Sequence, residues 1–264
     1  MNKFNRAPVY FAVAQIQFNP ILDLDNYLKV IQPAFRDLGF PDFKHEAVQR
    51  VIFPFTTAEG GSPVAPSIAS QSRYIFGNIG GTESFVLENN SLGFQTTSYD
   101  VFPTFSATLL KGLNILHSAI VLSFVERIGI RYLDAVQPNN NETLADYLVS
   151  EVLGLSGKLN GTAAHSESVT VMNNDAGQMV SRVIITSGKV GFPIEIGATA
   201  PKINPRFTAT NGLHAILDTD SSLTQRFEFS IEEVTKRLSS LKSEVSKSFY
   251  ATVTPHAQKI WSQE

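Results

Sequence analysis

Residues 12–18 (AVAQIQF) alternate apolar and polar with a period of two, the pattern of a strand with one buried face. Residues 124–133 (FVERIGIRYL) repeat the alternation in the same phase, so Ile16 corresponds to Ile130 and Phe18 to Tyr132. Phe124, Ile128, Ile130 and Tyr132 then share one side of that second strand, and Arg127, Gly129 and Arg131 share the other. A turn follows each strand, and then a similar helical opening: Leu24-Asp25-Asn26-Tyr27-Leu28 in the first half, Leu144-Ala145-Asp146-Tyr147-Leu148 in the second. The two linkers differ by six residues, which a surface loop absorbs at little entropic cost. Pro33 predicts a kink or an early end to the first helix.

Further strands are predicted at 45–55, 73–78, 83–88 and 92–98 in the first half, and at 167–173, 180–187, 194–196, 207–210 and 214–220 in the second. Each half then closes on a long amphipathic helix. In the first, Asp100 is the expected cap, Pro103 lies in the first turn, and Phe102, Phe105, Leu109, Leu113, Leu116 and Ile120 form one stripe. In the second, Ser230-Ile231-Glu232-Glu233 reads as a capping box, followed by Val234, Leu238, Leu241, Val245 and Phe249 at spacings of three and four. The expected fold class is therefore α+β, a tandem duplication of a β-α-β(3-4)-α unit, with antiparallel sheets each packed on a long helix. The repeats span 1–122 and 123–264 and are expected to join in one globular unit. Merger of the sheets edge to edge is left open. The uncharged stretch Gly60-Gly61-Ser62-Pro63-Val64-Ala65-Pro66-Ser67 is expected to be a mobile excursion between strands.

Composition narrows the chemistry. The chain has 264 residues, 43% of them hydrophobic, which is enough for a folded core. Lys plus Arg against Asp plus Glu stand at 10 to 10 in residues 1–133 and 11 to 14 in 134–264, so neither half has the cationic excess of a general nucleic-acid binder. No apolar run is long enough to span a bilayer, and the N-terminal segment lacks the pattern of a secretory signal, so no membrane association and a cytoplasmic location are expected. The absence of cysteine removes disulfides, thiolate nucleophiles and Cys-ligated metals. The histidines at 45, 117, 165, 214 and 256 are too dispersed for any short metal motif, and no cofactor or metal is expected.

Three segments, RIGIRYLD (127–134), LGFQTTSYDVFPTF (92–105) and LKSEVSKSFYATVTPHA (241–257), give the chain a family likeness. It resembles a sporadically distributed, largely uncharacterised prokaryotic family whose members share a mid-chain Arg-x-Gly-x-Arg-Tyr strand and a terminal helix running into a Thr-containing tail. Where that pattern commonly carries Asn, this chain has Asp134. The resemblance implies no activity, substrate or cofactor. Its scattered distribution is like that of genes in mobile or antiviral-defence clusters, an analogy only.

Candidate binding residues fall into three groups. Arg127 and Arg131 lie roughly 13 Å apart along their strand, with Gly129 leaving a gap between them, so they could grip an extended anion or two carboxylates. Pairing of each with an acid on a neighbouring strand is the plainer reading. Tyr132 and Asp134 belong to the same motif, and the corresponding first-half positions are Val13, Gln15 and Gln17. His214, Asp218 and Asp220 share one face of their strand, where acid–base chemistry or hard-cation binding could use them; an exposed polar face opposite Ala215, Leu217 and Thr219 is the simpler expectation. Trp261, near the end of the chain, could anchor a partner or dock on its own domain. No GxSxG, GxGxxG or phosphate-loop pattern is present, and no catalytic residue is assigned; Gly77-Asn78-Ile79-Gly80-Gly81 reads as a hairpin turn.

These features lead to the expectation of a non-enzymatic interaction or accessory module that binds another macromolecule, most simply another protein. A small-ligand binder of the helix-grip type, with an apolar cavity between curved sheet and long helix, is the first alternative. A phosphate-acting or hydrolytic enzyme using Arg127 and Arg131 is the second.

Overall fold

The structure, a computed structural model, describes residues 4–52, 67–155, 158–159, 164–197 and 199–263; side chains are described for 4–47 and from 71 onwards within these ranges. Most of the excursion expected at 60–67 lies outside them. In chain order the elements are β1 (Val9–Phe18), α1 (Leu24–Asp37), β2 (Asp42–Ile52), β3 (Ser67–Gly77), β4 (Glu83–Glu88), β5 (Ser91–Thr96), α2 (Phe102–Ile120) and β6 (Phe124–Val136). They continue with α3 (Leu144–Tyr147), β7 (His165–Asn174), β8 (Gly177–Gly188), α4 (Pro205–Thr208), β9 (Gly212–Glu228), α5 (Ile231–Thr252) and α6 (Pro255–Ser262).

The strands form one continuous nine-stranded sheet in the order β2-β3-β4-β5-β1-β6-β9-β8-β7, with every neighbouring pair antiparallel. This corrects the expectation of a tandem duplication of β-α-β(3-4)-α units whose sheets each pack on their own long helix; of the arrangements left open, the single continuous sheet is the one observed. β1 and β6 are hydrogen-bonded to each other at the sheet's centre, with Ala14 opposite Ile130 and Ile16 opposite Ile128. One core runs beneath both, joining Ile31 and Phe35 of α1, Leu109 and Leu113 of α2, Ile128 and Ile130 of β6, and Leu238 and Leu241 of α5. The supposed helical counterparts also differ. α1 runs through Pro33 to Asp37, whereas α3 stops after four residues because Leu148 bridges to Val253 and Val149 N–H donates to the Thr252 carbonyl.

Local signals place most other elements. The stripes of α2 and α5 face the core, and Ser230 Oγ accepts from Glu233 N–H at 3.3 Å at the start of α5. Val101, and not Asp100, is the N-cap of α2. The expected turn after Gly77 closes the β3–β4 hairpin, where Asn78 Oδ1 accepts from the N–H groups of Thr82 and Glu83. Gly112 brings α2 close to the sheet: a Cβ there would lie 2.3 Å from Cε1 of Phe85, a ring fully buried against Phe35, Phe40 and Phe94. Gly112→Ala is expected to destabilise the protein by about 1–3 kcal/mol in a urea melt, overpacking outweighing the ~1 kcal/mol that alanine gains in a helix.

The opposite face of the sheet is not a bare polar surface. Residues 189–197 and 199–209 cross it, with Val190, Phe192, Ile203 and Phe207 packing on Tyr10, Phe11, Leu133 and Ile216. Segments 194–196 and 207–210, predicted as strands, are a turn and part of α4 followed by loop. Hydrogen bonds from Gln95 Nε2 to the Thr199 carbonyl (2.5 Å) and from Thr97 Oγ1 to the Lys202 carbonyl (2.6 Å) fasten this cap to β5 and its end.

Candidate functional site

The alternation of β6 divides the motif residues between two cavities, one on each side of the sheet. Tyr132 and Asp134 point to the helices, Arg127 and Arg131 to the capped face. Phe124 departs from the expected face: a register shift between Val125 and Arg127 turns Val125 into the core, and Phe124 packs under Arg226 instead.

On the helical side, a cavity of 490 Å³ lies between the N-terminal segment, the start of α2, β6 and α5. Its walls are Phe4, Tyr99, Phe102, Tyr132, Phe249 and Tyr250. A second space of 580 Å³ between Phe102 and the outer side of α5 shares Lys242, Ser246 and Tyr250 with it, which carries the chamber towards the surface. Tyr132 donates to Tyr99 Oη at 3.3 Å, and the two rings meet edge to face at 5.2 Å. Lys242 Nζ sits 5.1 Å from the Tyr132 ring centroid and donates to Ser246 Oγ.

Asp134 is the unusual group. It is 8% exposed and lines this cavity, and its side chain makes no hydrogen bond or ion pair among the described residues. Burial raises its pKa from the ordinary 3.8 to about 7, with Lys242 opposing the shift. Burial in turn lowers the pKa of Lys242, with Asp134 acting against that. The Tyr99 hydroxyl is pushed up to about 12, chiefly by burial, and stays neutral. The cavity thus presents a neutral aromatic wall and one acid–amine pair held apart.

On the capped side, Asp218 organises the charges. Its carboxylate, 2% exposed, accepts two parallel hydrogen bonds of 2.7 Å from Arg131 and one of 2.8 Å from Arg182. Arg131 also donates to Glu195 of the cap at 2.8 Å. Burial works against the Arg131 charge, but its bonds to Asp218 and Glu195 outweigh it and hold the guanidinium above its ordinary pKa. The expected cross-strand pairing is therefore present for Arg131. Arg127, in contrast, has no carboxylate partner among the described residues.

The expectation of an exposed polar face on β9 is overturned. His214 and Asp218 are buried, because the cap covers that face. His214 does not join the two acids; its Nδ1 lies 3.0 Å from the Gly212 carbonyl, and it lines neither cavity. Asp220 is half-buried beside Arg127 and Arg131, and burial raises its pKa although both arginines oppose the shift. Trp261 is no tail anchor. It is 7% exposed in α6, packed on Phe4, Tyr147 and Phe249, and so buttresses two walls of the aromatic cavity.

Lys242, Tyr99 and Gly93 are site residues that sequence patterns did not single out. Gly93 carried a signal: a glycine inside an otherwise buried strand marks empty space or a close approach. Lys242 directly follows Leu241 of the core stripe, where a lysine reads as a solvated flank. No protein-family model matches the chain, and no curated protein is returned as its relative. Among the described residues, no helix is long and apolar enough to cross a membrane.

Proposed function

We propose that the protein binds a small, largely apolar organic molecule in the aromatic cavity, the polar end of the ligand lying between Asp134 and Lys242. The observation that carries this reading is the unpartnered, nine-tenths-buried Asp134 at a cavity of 490 Å³, a size within the usual range for ligand pockets. Aromatic walls favour a flat or aliphatic body. An acid and an amine that do not pair with each other suit a head group that donates to Asp134 and accepts from Lys242, as an amide or alcohol does. Recruitment of a macromolecule loses one of its supports, since Trp261 is buried.

The test uses N-phenylnaphthylamine, an apolar fluorophore with a single N–H donor, together with native mass spectrometry of the freshly purified chain. The wild type is expected to enhance the probe's fluorescence and to release a retained small molecule on denaturation. Ala7→Trp, which fills the cavity from its N-terminal wall, is expected to lose both with an unchanged circular dichroism spectrum. Lack of probe binding by the wild type, or equal binding by the filled variant, would overturn the reading.

A further inference from the structure

The capped face holds a second cavity, of 320 Å³, whose floor is made by missing side chains. Gln15 in β1 has Gly93 of β5 as its partner on one side and Gly129 of β6 on the other. Two glycines flanking one residue across three adjacent strands leave a depression in a surface otherwise covered by side chains. A Cβ at Gly93 would find nothing closer than 3.7 Å. Over Gly129 the space is taken by the guanidinium of Arg127, whose Nη1 lies 3.0 Å from where a Cβ would stand. Arg127 thus bends back along its own strand into the depression.

At the β9 side of the cavity stands Asp220, opposite Arg131 in register. Arg131 does not neutralise it, being committed to Asp218 and Glu195. Arg73, across the cavity, is likewise committed to Glu88 at 2.9 Å. The side chains of Arg127 and Asp220 are each without a hydrogen bond or ion pair among the described residues. The two are close enough for Arg127 to lower the Asp220 pKa, yet they do not meet. Two opposite charges, held unpaired on one cavity, are the complement of a molecule that carries both. Strand geometry puts the guanidinium and the carboxylate roughly 8 Å apart, since Arg127 reaches over Gly129 and Asp220 lies two residues further on and one strand across. Val13, Val86 and Ile196 add an apolar wall, and Gln15 and Gln95 add amides.

We infer that this cavity is a site for a small zwitterion of the amino-acid type, its carboxylate on Arg127, its ammonium on Asp220 and an aliphatic side chain against Val13, Val86 and Ile196. An Arg–carboxylate pair of this kind is planar and bidentate, so lysine cannot substitute for Arg127 without loss. The site is distinct from the aromatic cavity, on the opposite face of the sheet, and does not depend on it.

Calorimetric titration with leucine, isocaproate (no ammonium) and isoamylamine (no carboxylate) tests the assignment. Leucine is expected to bind at least about tenfold more tightly than either half-molecule, because each half leaves one half-buried charge unpaired. Arg127→Gln is expected to abolish leucine binding, and Asp220→Asn to remove the preference for leucine over isocaproate. Gly93→Val, which fills the floor without touching a charge, is expected to block all three. Retained binding of N-phenylnaphthylamine or an unchanged melting temperature shows that each variant is folded. Equal affinity for leucine and isocaproate in the wild type, no leucine binding at millimolar concentration, or unchanged leucine affinity in Arg127→Gln would overturn the inference.

Discussion

Asp134→Asn is expected to raise the melting temperature at about pH 8 by roughly 5–10 °C and to leave it nearly unchanged near pH 4. The carboxyl is buried at a cavity without a hydrogen-bond partner, and its folded pKa of about 7 lies above the ordinary 3.8. A raised acid binds its proton more tightly in the folded than in the unfolded chain. Below 3.8 both states are protonated and the group costs nothing; between 3.8 and about 7 only the unfolded state ionises; above about 7 the whole penalty is present. That difference corresponds to at most ~4 kcal/mol, and relaxation or water entering the cavity brings the expected gain to about 2–4 kcal/mol. Asparagine has the shape of the protonated acid and cannot ionise, so it removes the penalty alone. Thermal melts of both proteins across this pH range supply the check. A gain equal at both ends of the range, or no gain at about pH 8, would show that Asp134 is not the strained acid described here. A group that lowers stability and touches no partner in its own chain is the kind of residue retained for what it meets in a site.

Removal of the other buried carboxylate has the opposite sign. Asp218→Asn is expected to cost about 3–5 kcal/mol, lowering the midpoint of urea unfolding and the melting temperature by roughly 10 °C. Asp218 accepts three hydrogen bonds from two guanidiniums, and an amide in its place leaves both arginines without their shared counter-charge. Glu195 supplies the control within the same network. It also accepts from Arg131, at 2.8 Å, but its side chain is 56% exposed, so Glu195→Gln is expected to cost less than ~1 kcal/mol. The contrast between two carboxylates on one arginine is the measurement: similar losses from the two substitutions would show that burial does not set the strength of this network. Because the network holds the cap to β6 and β9, Asp218→Asn is also expected to speed amide exchange in residues 189–209.

Period and spacing along the chain were sufficient for the central strands and the two long helices, though not for the segments 194–196 and 207–210. The alternation at 12–18 and 124–133 marks the core face of β1 and β6, with Ala14, Ile16, Ile128 and Ile130 in the common core. The stripes in 102–120 and 231–249 mark the buried faces of α2 and α5, because a helix must turn its apolar side inward whatever it packs against. The same arithmetic separates Arg127 and Arg131 from Tyr132, and places Asp218 and Asp220 on one side of β9.

Periodicity says which residues share a face and is silent on what that face will meet. The resemblance between the two halves suggested two sheets, but the neighbour of β1 is decided by hydrogen bonding between segments more than a hundred residues apart, and that pairing joins everything into one sheet. The polar side of β9 looked solvated because nothing near it in the chain foretells that Val190, Phe192, Ile203 and Phe207 fold back over it. The choice for Trp261 between anchoring a partner and docking on its own domain was open for the same reason, its partners being Phe4 at the other terminus and Phe249 on α5. Both cavities are likewise products of long-range assembly. One needs Asp134 and Lys242 brought together from β6 and α5; the other needs two glycines on separate strands to be aligned on either side of Gln15. Local patterns report energies paid residue by residue, whereas unpaired charges and empty space exist only once distant segments have packed.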